Sequence, residues 1–171
     1  MTKNEILKKI EPLFYDKTFK EVSMQEIANH LGIKKASLYY YYKSKEDLQE
    51  DLINYSYENY KKFILSIINK DLKIFIERYI SYPYKSQNIF SLINQIGYCE
   101  NEKIKKYIGA KQLEIINIIK EDFQQKYGFN EEKIFILLSI IENISKKKCI
   151  FGGCPYDLEK IIDEILILFN S

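Results

Sequence analysis

Two helices joined by only a few residues can cross steeply when three conditions hold. The contact residue must be small, the corner must permit a positive φ, and the second helix must return an apolar side chain to the first. Ala28, Gly32 four positions on and Leu38 six further on meet all three. Ile27, Leu31 and Ile33 supply the rest of the contact. The spacing predicts a helix over 24–31, a corner at Gly32 and a second helix over 35–41, which is a helix-turn-helix.

The same period extends through nearly the whole chain, and no stretch alternates with a period of two long enough to propose a sheet. The expected fold is all-α with about nine helices. A first helix over 3–15 turns Ile6, Ile10, Leu13 and Phe14 inward and bends or frays at Pro12. A long fourth helix begins after Ser44 and aligns Leu48, Leu52, Tyr55, Tyr60, Phe63 and Ile67. Further helices are expected over 71–82, stopped by Pro83, and over 87–97, 104–126, 131–147 and 155–169, with Pro155 in the first turn of the last. Thr2/Glu5, Ser23/Glu26 and Ser44/Asp47 each place an acid three residues after a hydroxyl, the signature of a capping box. The domain reading is a head over 1–47 and a helical body over 48–171.

Composition narrows the function. With 46% apolar residues in 171, the chain buries a substantial core. The longest apolar block of the C-terminal half is too short to span a bilayer, and no signal peptide is apparent, so a cytoplasmic location without membrane attachment is expected. Cys99, Cys149 and Cys154 form no metal-ligand pattern, although Cys149 and Cys154 could meet as a redox pair across an intervening turn. The single histidine, His30, has no Ser–Asp or Cys partner suggested by position, and no Gly-rich phosphate loop is present. No catalytic residue, metal or cofactor is therefore expected.

The net charge of +2 hides an asymmetry. Residues 1–48 carry nine lysines and seven acids, and Lys34, Lys35, Lys43 and Lys45 fall within twelve positions. That density, beside the run Tyr39-Tyr40-Tyr41-Tyr42, points to a polyanion. Ser23, Ser44, Lys45 and the amides at their helix starts suit a phosphate. Lys34 and Lys35 can reach phosphate or guanine, and the Ala36 methyl can meet a thymine methyl. Tyr39 and Tyr40 provide rigid hydroxyls, while Tyr41 and Tyr42 pack the head against the first and fourth helices.

Residues 6–52 resemble the tetracycline-repressor (TetR/AcrR) family of bacterial transcriptional regulators. The resemblance runs through Ile6, Leu13, Phe14, Phe19, Val22, Ser23, Met24, Ile27, Ala28, Leu31, Gly32, Ile33, Leu38, Tyr39, Tyr42, Ser44, Lys45, Leu48 and Leu52. It implies an all-helical homodimer whose recognition helices enter the major groove, and a body binding a small molecule that weakens DNA binding. By the same resemblance Ser37, Tyr39 and Lys45 touch phosphates and Tyr40 lies near base edges. Departures are Lys34 for a serine cap, Ala36 for glycine or threonine, Tyr42 for phenylalanine and Thr18 for glycine.

A single head makes few contacts, so two copies on inverted half-sites of double-stranded DNA are expected. The all-round apolar stretch 134–144 and the last helix suggest an interface through Leu137, Ile140, Ile141, Ile144, Leu158, Ile161 and Ile165. For an effector of unknown identity, Phe75, Arg78, Tyr79, Tyr82, Phe90, Gln95, Tyr98, Tyr107 and Lys111 could line a mostly apolar cavity. Arg78 could hold an anion or pair with a surface acid. The expected function is a regulator, most simply a repressor, released by a small molecule; a ligand-independent architectural DNA binder with the same head is the alternative.

Overall fold

The computed structural model describes residues 1–14, 17–86, 102–150 and 156–170, the side chains of 83–86, 147–150 and 170 excepted. Among them are eight α-helices, one 3-10 turn and no strand. In chain order they are α1 (Lys3–Ile10), the 3-10 turn Glu11–Phe14, α2 (Met24–His30), α3 (Lys35–Tyr41), α4 (Lys45–Ile67), α5 (Leu72–Ser86), α6 (Glu102–Tyr127), α7 (Glu131–Ile150) and α8 (Leu158–Asn170). The helix expected over 87–97 lies outside the described residues, as do Cys99 and Cys154. No described helix is long and apolar enough to cross a membrane.

Two compact units share the chain. One comprises Met1–Tyr60 with Asn88–Gly109, and the other Lys61–Gln87 with Ala110–Ser171. In the first, Ile6, Ile10, Phe14, Val22, Ile27, Ala28, Leu38, Tyr42, Leu48 and Leu52 are buried. Leu13, Leu31 and Ile33 are only half-buried. Pro12 explains Leu13. It carries no amide hydrogen, and α1 gives way after Ile10 to a 3-10 turn of about 120° per residue, which rotates Leu13 off the inward face. The same rotation buries Glu11, whose Oε1 accepts from Ser56 Oγ at 2.9 Å.

The first two turns of α6 belong to this unit. Ile104 and Ile108 are buried, Lys103 Nζ reaches Glu50 Oε1 at 2.6 Å, and the Tyr107 hydroxyl donates to Asn54 Oδ1 at 3.1 Å.

In the second unit α5 packs chiefly on α7 and also on α8. Phe75, Ile76, Ile80, Phe123, Ile134, Leu137, Ile141, Ile162 and Ile165 form its interior. Aromatic rings fill the centre, with Phe75 edge-on to Phe123 at 4.9 Å. The Ser145 hydroxyl, fully buried, donates to the Ile80 carbonyl at 3.2 Å, joining α7 to α5.

Two more helix ends that differ from expectation adjoin a proline. α5 continues through Pro83 to Ser86. A proline withholds the bond from its own nitrogen and crowds the turn before it, but residues beyond it can still close the helix. α8 begins at Leu158 rather than at Pro155, because Asp157 Oδ1 accepts from the amides of Glu159 (3.1 Å) and Lys160 (3.4 Å) and so caps it.

Candidate nucleic-acid interface

The corner between α2 and α3 follows from Gly32, whose φ of 67° lets the chain leave α2 in the left-handed conformation. Its amide bonds to the Asn29 carbonyl at 3.0 Å, and the Ile33 amide to the Ala28 carbonyl at 3.0 Å. Ala28 and Leu38, both fully buried, form the crossing contact. With Leu38 turned in, the opposite face of α3 is open. Lys34, Lys35, Ala36, Ser37, Tyr39 and Tyr40 are all exposed, and Tyr40 is 88% accessible. Lys35 Nζ lies 5.9 Å from the centroid of the Tyr39 ring, and Tyr40 stands edge-on to Tyr41 at 5.6 Å. Tyr41 is half-buried rather than packed away.

Lys34 occupies the N-cap position of α3 and makes no side-chain cap, because an ammonium has no acceptor to offer. Ser23 does cap α2: its Oγ accepts from the Glu26 amide at 3.1 Å. Ser44 Oγ likewise accepts from the Asp47 amide at 3.0 Å, at the start of α4 beside Lys45. The return bond of a capping box forms only at Thr2/Glu5. Asp47 is a methylene shorter than glutamate, and the Glu26 carboxylate is drawn instead to Lys17 Nζ at 2.6 Å by a charge-assisted bond.

Lys45 is half-buried. Burial lowers its pKa from the ordinary lysine value, against the opposing pull of Glu46 and Glu26. A cation already stripped of part of its water gains more from a phosphate than a fully hydrated one.

Tyr42 closes the head from beneath. It is 1% exposed, its hydroxyl has no hydrogen-bond partner, and Lys3 Nζ sits 4.6 Å from the ring centroid while bonding Asp51 at 2.9 Å. Burial, with a smaller contribution from Asp51, pushes the phenol well above its usual range. His30 is exposed, and its Nε2 lies 3.0 Å from the Lys9 carbonyl, where a protonated ring nitrogen donates.

Of the residues offered as an effector cavity, Phe75, Arg78, Tyr79, Tyr82 and Lys111 fall in the second unit. Phe75 and Tyr79 are buried in the second unit. Tyr82 stacks on Phe63 at 3.8 Å, and Lys111 Nζ lies 3.7 Å from Glu114, whose carboxylate also pairs with Lys61. Arg78 is exposed. Tyr107 belongs to the first unit, and Phe90, Gln95 and Tyr98 lie outside the described residues.

The interface residues also divide. Leu137, Ile141 and Ile165 are buried within one chain and cannot meet a second, while Ile140, Ile144, Leu158 and Ile161 are half-buried. The apolar side chains left open are Phe135 (71% accessible) and Ile136 on α7, and Ile167 and Leu168 (63%) on α8. Helical spacing alone does not say which arc of an all-apolar helix faces its own core.

Residues 6–52 match the model of the bacterial regulatory proteins, tetR family. The chain's head, residues 6–52, is thus of the tetR family, and the chain is similar throughout to transcriptional regulators that carry such a head. The chain is 23% identical over 190 residues to the biofilm operon icaADBC HTH-type negative transcriptional regulator IcaR of Staphylococcus aureus (strain Newman), covering 98% of this chain and 97% of that protein. It is 26% identical over 148 residues to the probable HTH-type transcriptional regulator YttP of Bacillus subtilis (strain 168), covering 86% and 66%. Among solved structures, AibR in complex with isovaleryl coenzyme A and operator DNA superimposes with a TM-score of 0.73 at 22% identity, covering 99% of this chain and 100% of that one. The tetR-family regulator PfmR of Thermus thermophilus superimposes with a TM-score of 0.74 at 16% identity, covering 100% and 97%. At such identities these likenesses establish the shared fold, from tetR-type head to helical body.

Sequence reasoning missed the Lys17–Glu26 pair and the Asn54–Tyr107 bond. The first joins a loop to a helix nine residues on, and the second bridges 53 residues, so neither leaves a periodic trace.

Proposed function

We propose that the chain is a repressor that binds an inverted-repeat operator as a homodimer and leaves it when a small molecule binds the body. The observation that carries this reading is the face of α3, on which Lys34, Lys35, Ala36, Ser37, Tyr39 and Tyr40 all stand open while Leu38 anchors the helix from behind. In the major groove Tyr40 and Lys35 read base edges, Ala36 meets a thymine methyl, and Ser37, Tyr39, Ser23 and Lys45 hold phosphates. IcaR is a negative regulator, which supports repression here, and AibR has been captured with operator DNA and isovaleryl coenzyme A, which supports a body that takes a small molecule.

Pairing of two copies is assigned to the open apolar side chains Phe135, Ile136, Ile167 and Leu168, with the half-buried Ile140, Ile144, Leu158 and Ile161 beside them. Two heads fix the spacing of two half-sites, which one head cannot do. An effector is assigned to the second unit near Tyr79, Tyr82 and Lys111.

The test is selection of bound duplexes from a random pool, followed by footprinting of the enriched sequence. Two inverted half-sites, lost together when Tyr40 is replaced by alanine, are expected. Enrichment of no sequence, with sequence-independent coating of DNA, favours the architectural alternative.

A further inference from the structure

Glu26, paired with Lys17, lies one helical turn from Ser23, a residue assigned to the DNA backbone. The Glu26 amide is the group that Ser23 Oγ caps, at 3.1 Å, and the Glu26 carboxylate acts electrostatically on Lys45 as well as on Lys17. A phosphate held by Ser23 and Lys45 would therefore approach a carboxylate. That carboxylate is 37% exposed and Lys17 is 51% exposed, so both face solvent, which screens them in part and more so as salt rises. Lys17 Nζ, 2.6 Å away, neutralises it. Among the described residues of the segment before α2, Glu21 is turned to Thr18: its Oε2 accepts from the Thr18 amide at 2.6 Å and the Thr18 hydroxyl at 2.8 Å. Glu46 and Asp47 are exposed on the first turn of α4.

We propose that Lys17 is a positioning residue for DNA binding, whose ion pair with Glu26 cancels a carboxylate that would otherwise repel the phosphate held by Ser23 and Lys45. This rests on the docking proposed above and adds to it. Lys17 makes its contribution without touching DNA, by occupying Glu26. The effect is uniform over sequence because it acts on the backbone, and it weakens as salt screens the charges over about 10 Å at 0.1 M.

The two charges can be removed singly and together. Affinity for mixed-sequence duplex DNA is measured at low ionic strength for wild type, Lys17→Gln, Glu26→Gln and the double variant, with thermal melts to confirm folding. Lys17→Gln is expected to weaken binding roughly three- to tenfold for every duplex. Glu26→Gln, which keeps the Ser23 cap on its amide, is expected to bind at least as tightly as wild type, and removing Lys17 in that background is expected to change affinity by less than about twofold. A double variant several-fold weaker than Glu26→Gln overturns the proposal, since Lys17 would then act on DNA directly. Four proteins of equal affinity also overturn it while leaving the docking intact. A wild type that binds no duplex removes the docking itself, and this inference with it.

Discussion

Replacing Tyr42 with phenylalanine should stabilise the protein. The side chain is 1% exposed and its hydroxyl has no partner, so folding strips the oxygen of water and returns no hydrogen bond. Such a group costs ~1–3 kcal/mol. The rest of the contact survives the change: the ring keeps its place under Lys3 Nζ, 4.6 Å from its centroid, and phenylalanine retains the ring face that attracts a cation. Some relaxation of the pocket offsets the gain, leaving a stabilisation of about 1 kcal/mol. For a chain of this size that corresponds to roughly 2–4 °C in Tm. The pH dependence supplies a second reading. Because burial holds the Tyr42 phenol above its ordinary value of 10.0, the folded state keeps a proton that the unfolded state gives up. The stability tied to this proton is fully present below the unfolded value and is lost as pH climbs above it. Tyr42→Phe should therefore blunt the loss of stability above about pH 10. Urea melts at neutral pH and at a series of alkaline pH values measure both. A variant destabilised by 1 kcal/mol or more, with an unchanged alkaline limb, would refute the reasoning and show that the hydroxyl is satisfied.

Four other outcomes follow from the same structure. Lys45→Ala should weaken binding to all duplexes and lower the salt slope by about 0.9, as one phosphate contact is lost. As pH rises through the lowered Lys45 pKa, wild-type affinity should fall while the folded state is relieved of a half-buried charge; Lys45→Arg should abolish both trends in titrations followed by anisotropy and by melting. Gly32→Ala places a Cβ at φ 67° and should cost about 1–2 kcal/mol in a denaturant melt, with weaker DNA binding as the α2–α3 corner shifts. Phe135→Glu should leave the melting of the monomer nearly unchanged and dissolve the dimer in sedimentation, whereas Leu137→Ala should destabilise the fold by about 2–5 kcal/mol.

The head was legible because its constraints are local. Ala28, Gly32 and Leu38 lie within eleven residues and act through sterics and backbone conformation, which a single sequence displays. The bounds of α3 follow from the sequence for the same reason. Tertiary competition was less legible. Glu26 could close a capping box on its own helix, yet the charge of Lys17 draws it away. Pro83 reads as a stop, but α5 passes through it. On α7 nearly every position is apolar, so period alone cannot separate Leu137 and Ile141, which face the core, from Phe135 and Ile136, which do not. Aromatic stripes do not by themselves mark a cavity, because an aromatic on a helix satisfies a core as readily as a ligand; Phe75 against Phe123 is such a case.

The central claim is that the open face of α3 enters duplex DNA. A photoreactive phenylalanine in place of Tyr40, irradiated with duplex DNA at low ionic strength, tests it at the residue that stands farthest out. Crosslinks to bases at position 40, and none from the same group in place of Tyr156, also exposed but in the second unit, are the predicted result. Equal crosslinking from both positions, or none from position 40 while the protein is bound, would contradict it.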